Sequence, residues 1–164
     1  NMKGRRYYTF SPAQDVQFFA LDSTDMTPAQ VQWLEDELKQ SSRAWKIALL
    51  HHSLYSSGRR PGSQAALRQA LEPLFVKHNV SVVFSAGDNV YERVTPQKEI
   101  AYFVAGAGGK VRRGGIDRGS DLTAPGFDTD LTFLAAEVGA DSLVFNAISR
   151  AGETVDSGRL SRRK

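Results

Sequence analysis

Cysteine is absent from this sequence and histidine occurs only three times, so several kinds of chemistry are excluded from the start. The lack of cysteine excludes disulfides, thiolate metal sites and cysteine nucleophiles together. Long apolar runs are also missing, since none approaches the roughly 20 residues that a helix needs to cross a bilayer. We therefore expect no membrane-spanning segment and no membrane partner.

The rest of the composition is that of an ordinary globular protein. Of 164 residues, 41% are hydrophobic and 24% are charged. We expect one domain spanning residues 1–164, because a chain of this size can bury most of its apolar surface. The formal net charge is +3, with basic clusters at 3–6, 110–113 and 162–164. No recognition motif accompanies these clusters, so we expect a solvated basic surface and no nucleic-acid partner.

Hydrophobic patterning predicts a layered α/β fold, in which a mixed sheet is followed by an antiparallel meander. The predicted strands of the first part lie at 7–10, 16–21, 45–50, 80–84 and 100–105. The predicted strands of the meander lie at 131–138, 142–149 and 154–160. A polar loop is expected from 110 to about 130.

Two helices are predicted between the strands of the first part. The first has a complete start, because Thr27 can cap it, Pro28 suits its first turn and Gln30 can close a capping box. The second is expected at 63–77, with Pro73 inside it, where proline should kink the helix or split it in two.

Polar side chains gather where three predicted strands end: Asp22 and Ser23, then His51 and His52, then Asp88 and Asn89. Ligands of open α/β sheets bind beyond the carboxyl ends of the strands. Adjacent histidines leave a strand on opposite faces, so only one of His51 and His52 can point into a shared site. Histidine, carboxylate and amide oxygen together suit a divalent metal ion.

Three stretches carry a family resemblance: "WKIALLHHSLYSSG" (45–58), "LEPLFVKHNVSVVFSAGDNVYERV" (71–94) and "YFVAGAGG" (102–109). They resemble the carboxyl-terminal half of calcineurin-like metallophosphoesterases, in the purple acid phosphatase-like branch. The resemblance implies a β-sandwich flanked by helices. It also implies a phosphate ester substrate and a two-metal hydrolytic centre that holds divalent Fe, Mn or Zn.

The family's motifs assign metal ligands at two of three positions. His51 occupies the place of the histidine in Val-x-x-His and resembles a metal ligand. Gly87 and Asn89 stand where Gly-His-x-His has its two histidines. Asn89 can still offer an amide oxygen, whereas Gly87 has no side chain to donate.

The resemblance also indicates roles for neighbouring side chains. Arg60 stands near the place of a histidine that protonates the leaving group. His52 is the other catalytic candidate, and the alternative for His52 is a packing role. Arg59 and Asp88 are expected to bind substrate. The segment 91–93 predicts a Glu–Arg ion pair beside a packed phenol that fixes the loop, as an alternative to substrate contact.

The family's first strands, with their Asp, Gly-Asp and Gly-Asn-His ligand segments, have no counterpart in this sequence. Two hypotheses follow. In one, the chain is part of a metal-dependent phosphoric ester hydrolase whose site is completed elsewhere or altered. In the other, it is a non-catalytic binding module that holds no metal. The missing strands predict an amino-terminal half or self-association as the partner. The family also favours a secreted or periplasmic location.

Overall fold

The computed structural model describes residues 4–163, which form two sheets and two helices in three layers. The elements in chain order are β1 (Tyr8–Ala13), β2 (Val16–Ala20), α1 (Pro28–Gln40), β3 (Trp45–Leu49), α2 (Ala65–Lys77), β4 (Val82–Ser85), β5 (Tyr91–Gln97), β6 (Ile100–Ala105), β7 (Thr123–Phe127), β8 (Thr132–Val138), β9 (Ser142–Ser149) and β10 (Thr154–Ser161).

The larger sheet has seven strands in the order β1-β2-β3-β4-β6-β5-β7. Strands β2, β3, β4 and β6 run parallel, and β1, β5 and β7 run antiparallel to their neighbours. The helices α1 and α2 make the crossovers from β2 to β3 and from β3 to β4, as parallel neighbours require. The carboxyl ends of the parallel strands therefore meet at one edge of the sheet.

Each face of the larger sheet carries its own core. On one face, Leu34 and Leu38 of α1 and Phe75 of α2 pack among strand residues. On the other face, β9 of the antiparallel sheet β10-β9-β8 packs Phe145 against Phe103, with the ring centroids 4.9 Å apart. The predicted fold class, a mixed sheet followed by an antiparallel meander, is confirmed.

The first helix begins as predicted, with one change in its cap. The Thr27 hydroxyl accepts the Gln30 backbone N–H at 3.2 Å, which is the expected N-cap bond. The Gln30 side chain does not return to the cap residue. It is fully buried and accepts the Asp22 N–H at 2.8 Å while donating to the Asp22 carbonyl at 2.9 Å. Gln30 thus ties α1 to the end of β2.

The second helix is continuous through Pro73, so of the two predicted alternatives the split is wrong and the kink stays a prediction. Proline has no N–H for the carbonyl of Gln69, four residues earlier. Both Pro73 and Gln69 are exposed, and water can therefore satisfy that carbonyl without breaking the helix.

Two strands lie where loops were expected. Strand β5 begins at Tyr91, directly after the corner that follows β4, and pairs with β6. Strand β7 lies within the predicted polar loop and pairs with β5 at the edge of the sheet. Its sequence, Thr-Ala-Pro-Gly-Phe, contains proline and glycine, which occur in strands mainly at edges. Strand propensity alone therefore does not predict this strand.

A half-buried ion pair joins the two sheets and corrects the expected Glu92–Arg93 pair. Neighbouring strand residues face opposite sides, so Arg93 turns toward β10 and donates to Asp156 at 2.9 and 3.2 Å. The Tyr91 hydroxyl donates to the same carboxylate at 2.6 Å. Burial, together with this bond to Asp156, raises the pKa of Tyr91 well above its ordinary value.

Replacing Asp156 with alanine should lower the free energy of unfolding by about 3 kcal/mol, because it leaves Arg93 and Tyr91 without their acceptor. Asp141→Ala is the matched control, since Asp141 is 86% exposed in its pair with Arg162, and it should cost less than about 0.5 kcal/mol. Urea unfolding followed by circular dichroism measures both. Equal losses in the two variants would show that Asp156 does not join the sheets.

An open apolar groove lies beside β8, one of the two edge strands of the smaller sheet. Its volume is about 460 Å³, and it is lined by Phe18 and Phe84 of the larger sheet and by Phe133 of β8. Phe133 is 58% exposed. Exposed apolar rings next to an unpaired strand edge favour association with another chain or segment.

We expect the chain to self-associate through this groove when no partner covers it. Phe133→Glu should shift sedimentation toward the monomer, because a charge on β8 disfavours burial of the groove. Ala140→Glu, in the exposed turn after β8, should leave the distribution unchanged. A stable unmodified monomer at working concentration would contradict the expectation.

Candidate functional site

The two predicted corners of the site are neighbours. Strands β3 and β4 pair in parallel, and the Leu50 N–H donates to the Phe84 carbonyl at 3.1 Å just beyond that pairing. The Ala86 N–H then donates to the His51 carbonyl at 3.0 Å. A Cβ placed on Gly87 would lie 3.0 Å from the same carbonyl oxygen. His51 and the corner at Gly87 therefore share one edge of the sheet.

Ser23, at the end of β2, holds the two histidines in place. Its hydroxyl accepts the N–H of His51 at 3.2 Å and that of His52 at 2.9 Å. The His52 Nδ1 lies 3.1 Å from both the hydroxyl and the carbonyl oxygen of Ser23. His51 is exposed, and its ring stands edge-on to His52 at 4.9 Å. These contacts favour a packing role for His52, and its catalytic role stays a prediction.

Asp22 is engaged within its own turn. The hydroxyl and backbone N–H of Thr24 donate to its carboxylate, and Arg6 pairs with it at 2.6 Å. The Thr24 bonds first, and then Arg6, hold the pKa of Asp22 below its ordinary value. Asp22 therefore supports the end of β2.

Asp88 lies under the loop that carries Arg59 and Arg60. It is 2% exposed, and its Oδ1 accepts the Gly62 N–H at 3.1 Å. A Cβ on Gly58 would sit 2.2 Å from that oxygen, so only glycine allows this approach. The second oxygen of Asp88 is buried without a hydrogen-bond partner among residues 4–163. The geometry makes Asp88 a support for the loop, and its substrate-binding role stays a prediction.

Glu92 anchors a loop, but through serine and threonine donors in place of the predicted pair with Arg93. This fully buried carboxylate accepts hydrogen bonds from the Ser57 backbone N–H, from the Ser56 and Ser57 hydroxyls at 3.1 and 2.7 Å, and from the Thr123 hydroxyl at 2.8 Å. The loop after His52 is thereby bound to β5 and β7. The serines of that loop are the sequence feature that could have indicated these partners.

The loop of Arg59 and Arg60 is also bonded to the glycine-rich loop after β6. The Arg59 N–H donates to the Gly115 carbonyl at 2.9 Å. Arg112 donates from its guanidinium to the Arg60 carbonyl and from its backbone to the Asn89 carbonyl, each at 2.8 Å. The substrate and catalytic candidates Arg59 and Arg60, both exposed, thus lie beside the corner that carries Asn89.

The residues present do not fit a two-metal centre. Residues 4–163 contain no group of three or more His, Asp or Glu side chains that could hold a metal ion. His51 and Asn89 would supply one imidazole and one amide oxygen, and Gly87 supplies nothing. Stable divalent sites use three or more protein ligands, commonly with carboxylates to balance the charge. The metal-ligand roles of His51 and Asn89 therefore stay predictions.

Comparison with known proteins finds similarity to purple acid phosphatases. No protein-family model matches the chain. Purple acid phosphatase 17 of Arabidopsis thaliana is 28% identical over 115 residues, which are 69% of this chain and 34% of that protein. The structure of purple acid phosphatase PPD1 from yellow lupin (Lupinus luteus) superposes with a TM-score of 0.82 over 94% of this chain and 32% of that one, at 18% identity.

The resemblance to calcineurin-like metallophosphoesterases of the purple acid phosphatase-like branch is confirmed. A second structure of the same fold is that of GAP50, the anchor in the inner membrane complex of Plasmodium. It has a TM-score of 0.84 and 18% identity, and the match covers 96% of this chain and 55% of that one. The chain spans about a third of the length of Arabidopsis purple acid phosphatase 17. Neither helix in the part of the chain that the structure describes is long and apolar enough to cross a membrane.

Glu92→Ala should lower the free energy of unfolding by about 3 kcal/mol, because it leaves several buried donors unsatisfied. Amide hydrogen exchange in the loop 53–62 should accelerate more than exchange in β9. Glu137→Ala, on the exposed face of β8, is the control and should change neither quantity. Unchanged protection of the loop in the Glu92 variant would rule out its anchoring role.

Proposed function

We propose that this chain is a ligand-binding part of a phosphoesterase-type scaffold and that it does not hydrolyse phosphate esters by itself. The observation that carries the proposal is Gly87. It stands at the strand-end position where the family motif has a metal-binding histidine, directly against the His51 carbonyl. Without that ligand, and with Asp22 and Asp88 engaged in their own turn and loop, this edge of the sheet has too few donors for a metal-activated nucleophile.

The scaffold itself is compatible with a role other than catalysis. A fold hosts many functions, and function depends on the site that it carries. The GAP50 structure, which shares this fold, is described as an anchor in a membrane complex. This supports the view that a protein of this fold can take part in an assembly.

A metal-dependent phosphoric ester hydrolase is the second candidate, favoured by the similarity to purple acid phosphatases. In that case a preceding half, of the kind that makes up much of the relatives' length, would supply most metal ligands. His51 and Asn89 would be this chain's contribution to the Fe, Mn or Zn ions. Arg60 and His52 would then face the substrate. A secreted or periplasmic location, suggested by the family, stays a prediction.

The chain alone should show no turnover of a chromogenic phosphate monoester above background with added manganese, iron or zinc. It should also retain no stoichiometric metal after desalting, because His51 and Asn89 are too few ligands. Metal analysis by mass spectrometry and absorbance of the released phenol measure the two quantities. Metal-dependent turnover that disappears in His51→Ala would contradict the proposal.

The hydrolase candidate has its own test. Adding the amino-terminal half of a purple acid phosphatase should restore turnover only if the chain's corner still binds metal. The double variant Gly87→His and Asn89→His, with the same half, should then bind metal more tightly than the unmodified chain. If the unmodified chain with the half turns over substrate, hydrolysis is the function. If even the double variant takes up no metal, the hydrolase candidate is rejected.

A further inference from the structure

Four arginines line one open cavity at the edge of the sheet where the parallel strands end. Arg59 and Arg60 come from the loop after β3, and Arg112 and Arg113 from the loop after β6. The cavity has a volume of about 320 Å³, and glycine backbone at 114 and 115 forms the rest of its wall. Residues more than 50 positions apart in the chain therefore face one space.

The two loops are fixed to each other, so the cavity does not depend on ligand for its walls. Gly58 and Ile116 form an antiparallel bridge, and the Arg59 N–H donates to the Gly115 carbonyl. The Arg112 guanidinium crosses to the Arg60 carbonyl. Asp88 and Glu92 hold the first loop from below through the bonds described above. Because its loops are already fixed, such a site loses little conformational entropy when it binds a ligand.

The positive charge of the cavity is largely uncompensated. Within residues 4–163, the one ion pair made by these arginines joins Arg59 to Asp117 at 4.0 Å, with both side chains more than half exposed. A pair of this length and exposure contributes little. Asp88 adds a single buried carboxylate on the loop side. Four guanidinium groups thus face two carboxylates, and an anion would relieve their mutual repulsion.

We propose that this cavity is a metal-independent binding site for a small ligand with two linked phosphate groups. Guanidinium groups form paired hydrogen bonds with phosphate oxygens, which a lysine cannot reproduce. Arginines stand on two walls, two from each loop, so each wall can engage one phosphate. The assignment rests on the proposed binding role and requires neither His51 nor a metal ion.

The test is isothermal titration of the chain with inorganic pyrophosphate in the presence of EDTA. Binding should be saturable and should weaken as salt is added. The double variant Arg60→Ala and Arg113→Ala should bind about tenfold more weakly or worse, because charge-assisted bonds are lost. Arg112 is left unchanged because it also holds the loop. Arg159→Ala, on β10 and bonded to Ser142, is the matched control and should bind like the unmodified chain.

Further titrations distinguish specific recognition of a diphosphate from non-specific electrostatic attraction of anions. Arg60→Lys with Arg113→Lys keeps the charge and should still weaken binding. Orthophosphate and sulfate should bind more weakly than pyrophosphate. A nucleoside diphosphate that binds more tightly than pyrophosphate would identify a nucleotide as the ligand, and the reverse order would identify inorganic diphosphate.

The proposal is overturned if pyrophosphate does not bind, if the alanine double variant binds equally while melting at the unmodified temperature, or if sulfate binds as tightly. If the alanine double variant does not fold, the lysine double variant and the comparison of sulfate with pyrophosphate test the proposal in its place. The titration is done in EDTA, so a failure to bind pyrophosphate would not show that the chain hydrolyses phosphate esters. Conversely, metal-dependent turnover would contradict the proposed function without contradicting diphosphate binding by the arginines.

Discussion

The site depends on the parallel pairing of β3 with β4. The bond from the Ala86 N–H to the His51 carbonyl extends this pairing past the last strand residue. It brings the histidine corner and the glycine–aspartate–asparagine corner to one edge. It also brings Gly87 so close to the His51 carbonyl that a side chain there has little room. Because this position is glycine, the chain has no donor where the family has a ligand.

A second set of contacts, all between protein groups, holds the loops around this edge in place. Glu92 collects serine and threonine donors from the loop after β3 and from β7, and Asp88 accepts a backbone N–H from the same loop. Both carboxylates lie inside the protein. Gly106 allows the chain to pass the Asp88 carbonyl, since a Cβ there would lie 1.8 Å from that oxygen. Buried carboxylates thus hold the loop that carries the exposed residues Arg59 and Arg60.

Much of the fold could be predicted because its signals are local. The cap of Thr27 and Pro28, the apolar run of β3 and the alternation along β9 each follow from neighbouring residues. Strands β5 and β7 could not be predicted, since β5 buries the charged Glu92 through partners far away in the chain. The continuity of α2 through Pro73 depends on solvent exposure, which the helix sequence alone does not fix.

The site was predictable in its position and less so in its contacts. Strand order and family resemblance indicated that His51 and Asp88 to Asn89 would be close together. The engagement of His52 with Ser23, the choice of Asp156 as partner for Arg93, and the joining of Arg59 to the loop of Arg112 all depend on tertiary packing. No spacing in the sequence encodes them.

Crystals of the chain grown with manganese and the phosphate analogue tungstate provide the most direct measurement, through anomalous diffraction recorded separately for each element. We expect tungsten density among Arg59, Arg60, Arg112 and Arg113, and no manganese density between His51 and Asn89. Paired manganese peaks at that corner, with the arginine cavity empty of tungstate, would contradict a scaffold that has lost its metal centre and kept an anion site.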